Sequence, residues 1–237
     1  MRFLFISLLL ATALPAVQIA YDNTLTQDPG LASVPFGPNS SVQDPNNPML
    51  SVVVDLLGDQ IQLNPSPTGW LNGYQATTSI YNIGTPGTDD FTGVLRLHLF
   101  NVSGVTLGLL IGTFDTAALT IGAGGANSTL VTWNLNNVPL SLDMVWLVEV
   151  VSNTSPGMPL LSLDIFTDFK PVGASSDSFY WWKLNPYATT SVSSGLGNDS
   201  FYFQVTTVPE PTTGGMLALA LGAWAFHKRR SAAKRRL

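Results

Sequence analysis

The 237-residue chain contains no cysteine. That excludes a disulfide framework, a thiol nucleophile and any cysteine-ligated metal site. A chain of this length does not need disulfides, because it can bury most of its apolar surface in one core, and the length favours a single domain. Charge is scarce as well: Asp, Glu, Lys and Arg make up 11% of the residues, and the basic part of that small share is pushed to the ends. Arg2 together with Lys228, Arg229, Arg230, Lys234, Arg235 and Arg236 holds seven of the ten basic residues, leaving Arg96, Lys170 and Lys183 in the body. All fifteen acidic residues lie between Asp22 and Glu210, so the body has a formal charge of −12. Such a surface repels nucleic acid and anionic lipid, and it suits either a solvated acidic exported domain or a binder of divalent cations or basic partners.

Helical periodicity is also missing from the body. No stretch of eleven or more residues combines apolar positions at i, i+3, i+4 and i+7 with a credible cap. What replaces it is a series of short apolar or alternating runs separated by Gly, Pro, Asn and Asp. Leu95, Leu97 and Leu99 alternate with Arg96 and His98, which places three leucines on one face of a strand and two polar residues on the other. Phe201, Phe203 and Val205 alternate in the same way with Tyr202, Gln204 and Thr206. Further strands are expected over 51–54, 77–83, 107–114, 129–135, 144–151, 160–166 and 179–184. Tight turns are expected at Asn72-Gly73, Pro86-Gly87, Gly122 to Gly125 and Gly195 to Asn198. The spacing predicts an all-β fold, an antiparallel sandwich or jelly roll.

Before these runs, residues 21–48 are rich in turn formers, including Asp28-Pro29-Gly30 and Asp44-Pro45-Asn46-Asn47-Pro48. They read as an irregular lead-in with one short edge strand near Leu31 to Val34. The extreme N-terminus has the order of a secretory signal peptide: Arg2, an apolar stretch from Phe3 to Leu14, and small residues at Ala13, Ala16 and Ala20. Cleavage after Ala16 and after Ala20 both remain open. The expected organisation is a signal peptide over 1–20, with its helix, the lead-in over 21–48, a β-sandwich ectodomain over 49–207 and a separate C-terminal element over 208–237.

Candidate chemistry in the body is thin. His98 is its single histidine, and its place on the polar face of a strand reads as a solvated side chain. No G-x-S-x-G, H-E-x-x-H or P-loop spacing occurs, so no catalytic residues are assigned and the body is expected to be non-enzymatic. No metal ligands or cofactor are assigned either. Asp89-Asp90, or Asp164 with Asp168, could join a calcium site or the acid pair of a polysaccharide-active enzyme, although adjacent aspartates in a turn such as Pro86-Gly87-Thr88 are more often turn formers. Phe179-Tyr180-Trp181-Trp182 would set alternate rings on opposite faces of a strand. Tyr180, Trp181 and Trp182 are therefore a possible sugar-stacking platform, against the alternative of core or cross-strand aromatic pairs. Five N-x-[ST] sequons begin at Asn39, Asn101, Asn127, Asn153 and Asn198.

The C-terminus carries the most specific signal. Val208-Pro209-Glu210-Pro211 is followed by an uncharged apolar run from Gly214 to Phe226 and then by His227-Lys228-Arg229-Arg230. As a helix that run would be about 20 Å long against a hydrocarbon core of about 30 Å, short for a permanent span. The basic cluster behind it would stay cytoplasmic by the positive-inside rule. This order resembles the bacterial PEP-CTERM sorting signal: a Pro-Glu-Pro motif, a short transmembrane helix and an arginine-rich end. The resemblance covers about thirty residues. It implies that Pro209, Glu210 and Pro211 are the sorting motif, that Lys228, Arg229 and Arg230 are the cytoplasmic stop, and that the processing partner is exosortase, after signal peptidase at the other end. It further implies an exported protein, membrane-held at least transiently and then displayed at the cell surface or in the extracellular, exopolysaccharide-containing biofilm matrix. The second basic cluster after Ser231-Ala232-Ala233 departs from the pattern and blurs the cytoplasmic boundary.

Overall fold

The computed structural model describes residues 17–23, 34–64, 71–103, 106–124, 128–163, 165–167, 172–175, 179–193 and 199–208. The terminal helices expected from the sequence lie outside these residues, as does the turn over 195–198. In chain order the strands are β1 (Gln18–Asp22), β2 (Val34–Phe36), β3 (Val42–Asp44), β4 (Asn47–Gln62), β5 (Asn72–Asn82) and β6 (Phe91–Ser103). There follow β7 (Thr106–Asp115), β8 (Leu119–Ile121), β9 (Thr129–Pro139), β10 (Asp143–Asn153), β11 (Leu161–Leu163) and β12 (Ile165–Thr167). The last are β13 (Ala174–Ser175), β14 (Phe179–Asn185), β15 (Thr189–Ser193), β16 (Asp199–Phe201) and β17 (Phe203–Val208).

Every pairing between these strands is antiparallel, and two sheets face each other as a sandwich. In the first sheet β5 is central, with β9 along one edge and β17 then β11 along the other; β1 lies outside β17 and β2 outside β11. The second sheet runs β15-β14-β4-β10-β6-β7, with β3 and β13 on β4 and β8 on β6. Alternation supplies the layer between them. Leu95, Leu97 and Leu99 of β6 are buried in the same core as Phe203 and Val205 of β17, Ala76 and Ile80 of β5, and Val131, Trp133 and Leu135 of β9. Trp146 of β10 stacks on Phe203 with ring centroids 4.1 Å apart, and this contact bridges the two sheets.

The second sheet also buries part of its other face. Val145, Leu147 and Trp181 form a separate cluster with Leu56, Phe100, Val102 and Leu107 around them. The cause is curvature: β15, at one margin of the sheet, comes within 8 Å (Cα to Cα) of β7 at the opposite margin. The sheet therefore folds partly round its own outer face. In register across that face stand Trp181, Gly58, Leu147, His98 and Thr113. A β-carbon on Gly58 would sit 1.9 Å from the Trp146 carbonyl oxygen, so only glycine fits between the strands that carry Trp181 and Leu147.

Several expectations need revision. The lead-in is not irregular throughout, since β1, β2, β3 and the start of β4 all lie before Met49. The edge strand expected near Leu31 to Val34 falls at Val34–Phe36, and residues 31–33 lie outside the described set. Asn72-Gly73 opens β5 instead of making a turn, because both residues pair with β17 and β9. The 20/21 boundary falls inside β1, where Ala20 and Tyr21 are buried.

Candidate functional site

Three clusters of polar or aromatic side chains could form sites. The first is the loop end that holds the turn aspartates. Asn82, buried at the end of β5, donates through Nδ2 to the carbonyls of Asp89 (2.7 Å) and Ile121 (3.1 Å) and accepts at Oδ1 from the amides of Gly84 (3.1 Å) and Leu160 (3.2 Å). Asp89 extends this knot: its carboxylate accepts from Met158 N at 2.9 Å and Thr85 N at 2.8 Å, which holds its pKa below the ordinary aspartate value. Asp90 accepts from Ala123 N at 2.8 Å. The two carboxylates thus tie three loops together through backbone amides. Among the described residues no three His, Asp or Glu side chains converge as a metal cage would require. Asp164 and Asp168 lie outside them.

The second cluster is the aromatic segment of β14. Tyr180 and Trp182 point into the main core side, in an edge-to-face contact with centroids 5.8 Å apart, and Tyr180 meets Phe201 at 5.7 Å. Trp181 points the opposite way and is 2% exposed, enclosed with Val145 and Leu147. The three rings are therefore not presented side by side; partly exposed ring area remains only on Tyr180 and Trp182.

The third is a charged row on the curled face of the second sheet. Lys183, Leu56, Glu149, Arg96 and Asp115 stand in register across five strands. Arg96 makes a two-pronged pair with Asp115 at 2.6 and 2.8 Å, which lowers the Asp115 pKa and raises that of Arg96. His98 Nε2 lies 2.8 Å from Glu149 Oε2, and Lys183 Nζ lies 3.7 Å from Asp55. The alternation Leu95 to Leu99 places His98 on the polar face, but no local sequence signal points to Glu149, fifty-one residues away.

The end of β17 is where the C-terminal element begins. Thr206, Thr207 and Val208 are paired with Gln75, Gly73 and Asn72 of β5, and Thr207 also pairs with Gln18 of β1. β17 is described as far as Val208, and the next residue in the sequence is Pro209, which has no backbone N–H to donate to a ladder. Residues 207–231 match the family model of the PEP-CTERM protein-sorting motif. The chain carries a PEP-CTERM sorting signal. That signal directs export and sorting by exosortase, with transient membrane association, and its first two matched residues belong to the last strand of the sandwich. Pro209, Glu210, Pro211, Lys228, Arg229 and Arg230 of the PEP-CTERM signal lie outside the described residues. Comparison of the chain with curated proteins returned no match.

The sequons are partly engaged. Asn39 Nδ2 donates to the Pro159 carbonyl at 2.7 Å, Asn101 Oδ1 accepts from the Ser141 hydroxyl, and Asn153 Oδ1 accepts from Ser155 N at 2.9 Å. Asn127 and Asn198 lie outside the described residues.

Proposed function

We propose that the protein is a non-catalytic β domain delivered through its PEP-CTERM signal to the cell surface or the extracellular matrix, where it has a structural or adhesive role. The observation that carries this reading is the junction: the sorting motif starts within β17, so the sandwich is the cargo of the signal. The carboxylates offer little for catalysis, because Asp89, Asp90 and Asp115 already serve as acceptors for backbone amides or an arginine. The apolar run 214–226 is short for permanent anchoring, so we read it as a retainer that keeps the Pro-Glu-Pro segment within reach of exosortase. Signal peptidase would act at the other end.

Mass spectrometry of the mature protein tests the route: a C-terminal peptide lacking Trp224 and the basic tail is expected, and recovery of the intact tail would exclude processing. The role is tested by deletion, which should reduce retention of exopolysaccharide or of other matrix components without loss of any hydrolytic activity. A second reading, sugar binding, draws support from the partly exposed rings of Tyr180 and Trp182. Quenching of tryptophan fluorescence by a matrix oligosaccharide, lost in Trp182→Ala, would favour it.

A further inference from the structure

Both chain ends leave the sandwich at one end, on neighbouring strands. Gln18, at the start of β1, is paired with Thr207, one residue before the end of β17. The same end holds two of the crossings between the sheets, from Leu63 toward Leu71 and from Pro139 to Asp143. They are tied by Leu140 N to the Leu71 carbonyl (2.8 Å) and Leu63 N to the Leu142 carbonyl (2.7 Å). The Asn82 and Asp89 loop knot occupies the opposite end of β5.

Charge is distributed unevenly between these ends. On the rim made of residues 17–18, 62–64, 71–73, 101–103, 106–107, 138–143, 173–174 and 207–208, Asp143 is the one charged side chain among the described residues. Asp89, Asp90, Asp115, Glu149, Arg96 and Lys183 all lie further along the strands, toward the loop knot. The rim exposes uncharged side chains instead: Gln18, Gln62, Asn64 and Thr106 are exposed, and beside them the apolar Val17 is 51% and Leu142 43% exposed, with Ile19 next along β1 at 46%.

We propose that this rim is a membrane-contacting surface, resting on the lipid surface that holds the sorting segment. The inference depends on the reading of the C-terminal element as a membrane-directed signal. Only five residues, 209–213, separate Val208 from the apolar run, a tether of at most about 20 Å. The long strands make the sandwich about 40 Å in that direction, so the tether reaches half its length. A body charged −12 is repelled by anionic headgroups, and the rim is the end at which repulsion is weakest and apolar burial is available.

The absence of cysteine makes the test direct. Leu142→Cys and Asn64→Cys on the rim, and Ile83→Cys and Met158→Cys at the far end, are each labelled with a fluorophore in the full chain. The chain is then reconstituted in phosphatidylethanolamine–phosphatidylglycerol vesicles containing a nitroxide-labelled lipid. Quenching several-fold stronger at Leu142 and Asn64 than at Ile83 and Met158 is expected. Vesicle-bound chain with equal quenching at both ends, or stronger quenching at Ile83 and Met158, overturns the rim assignment alone. Failure of the chain to float with the vesicles overturns the membrane association and the rim with it.

Discussion

Asn82 concentrates more structural duty than any other polar side chain of the loop end. Its four hydrogen bonds draw on three loops, and removing its amide would leave backbone groups that are buried or half-buried without these partners. Asn82→Ala should therefore cost about 3 kcal/mol, measured as the shift of a urea unfolding curve. Nothing in the sequence marks this asparagine, because its partners are backbone groups far along the chain. Asp89 is different: it stands in a turn whose composition already pointed to it, and its carboxylate is what closes the loop. Backbone amides of Met158 and Thr85 depress its folded-state pKa below the ordinary 3.8, and Asp44 and Asp115 are depressed as well. A depressed carboxylate contributes its full stabilisation above the unfolded value and loses it as pH falls through the folded value. The melting temperature should accordingly drop as pH is taken below about 4, with a smaller drop in Asp89→Asn, by calorimetry across that range. Two consecutive asparagines in β9, Asn136 and Asn137, have φ of 53° and 59°, the left-handed region. Val at 137 should cost about 1–2 kcal/mol in the same urea assay, while Gly should be tolerated.

At the level of the strand, legibility followed burial. β17 and the Leu95 to Leu99 stretch of β6 each have one face in the core and one polar face, so their alternation is plain in Leu95 to Leu99 and Phe201 to Thr206. Only Ser51 to Val54 of β4 reads as a strand in the sequence, yet β4 runs over sixteen residues. Leu57 and Ile61 face the main core and Leu56 the second cluster, so apolar residues fall on both faces and no period of two survives. Gly58 and Asp59 then look like a turn, although Gly58 is there for clearance beneath Trp146 and Leu147. Gly58→Ala should destabilise the domain by about 3 kcal/mol or more, with loss of near-ultraviolet dichroism from the tryptophans at lower denaturant. β1 is not legible in the sequence because it adjoins the stretch that reads as a signal peptide. Its pairing with β17 and the burial of Ala20 and Tyr21 argue that the whole of Gln18–Asp22 is kept. The mature N-terminus should lie at or before Val17, as read by intact mass; a chain starting at Tyr21 would contradict this.

For the whole molecule, the route was readable and the destination was not, for a physical reason. A sorting signal is a contiguous stretch decoded by length, apolarity and charge order, all of which are properties of sequence. Contacts between distant strands, such as His98 with Glu149 or Trp146 with Phe203, exist only once the sheets are folded against each other. The curl that encloses Trp181 was equally invisible, since it depends on the two margins of a sheet meeting. The expected platform of Tyr180, Trp181 and Trp182 assumed an open sheet.

The pairing of Gln18 with Thr207 has a further consequence. Because the two ends of the sandwich chain are strand neighbours, the fold is nearly a closed loop of polypeptide, and its pairing does not require that the loop be opened at this place. A circular permutant joining Val208 to Val17 through a short Gly-Ser bridge, and opened between the exposed Ala117 and Ala118, should fold to the same sandwich.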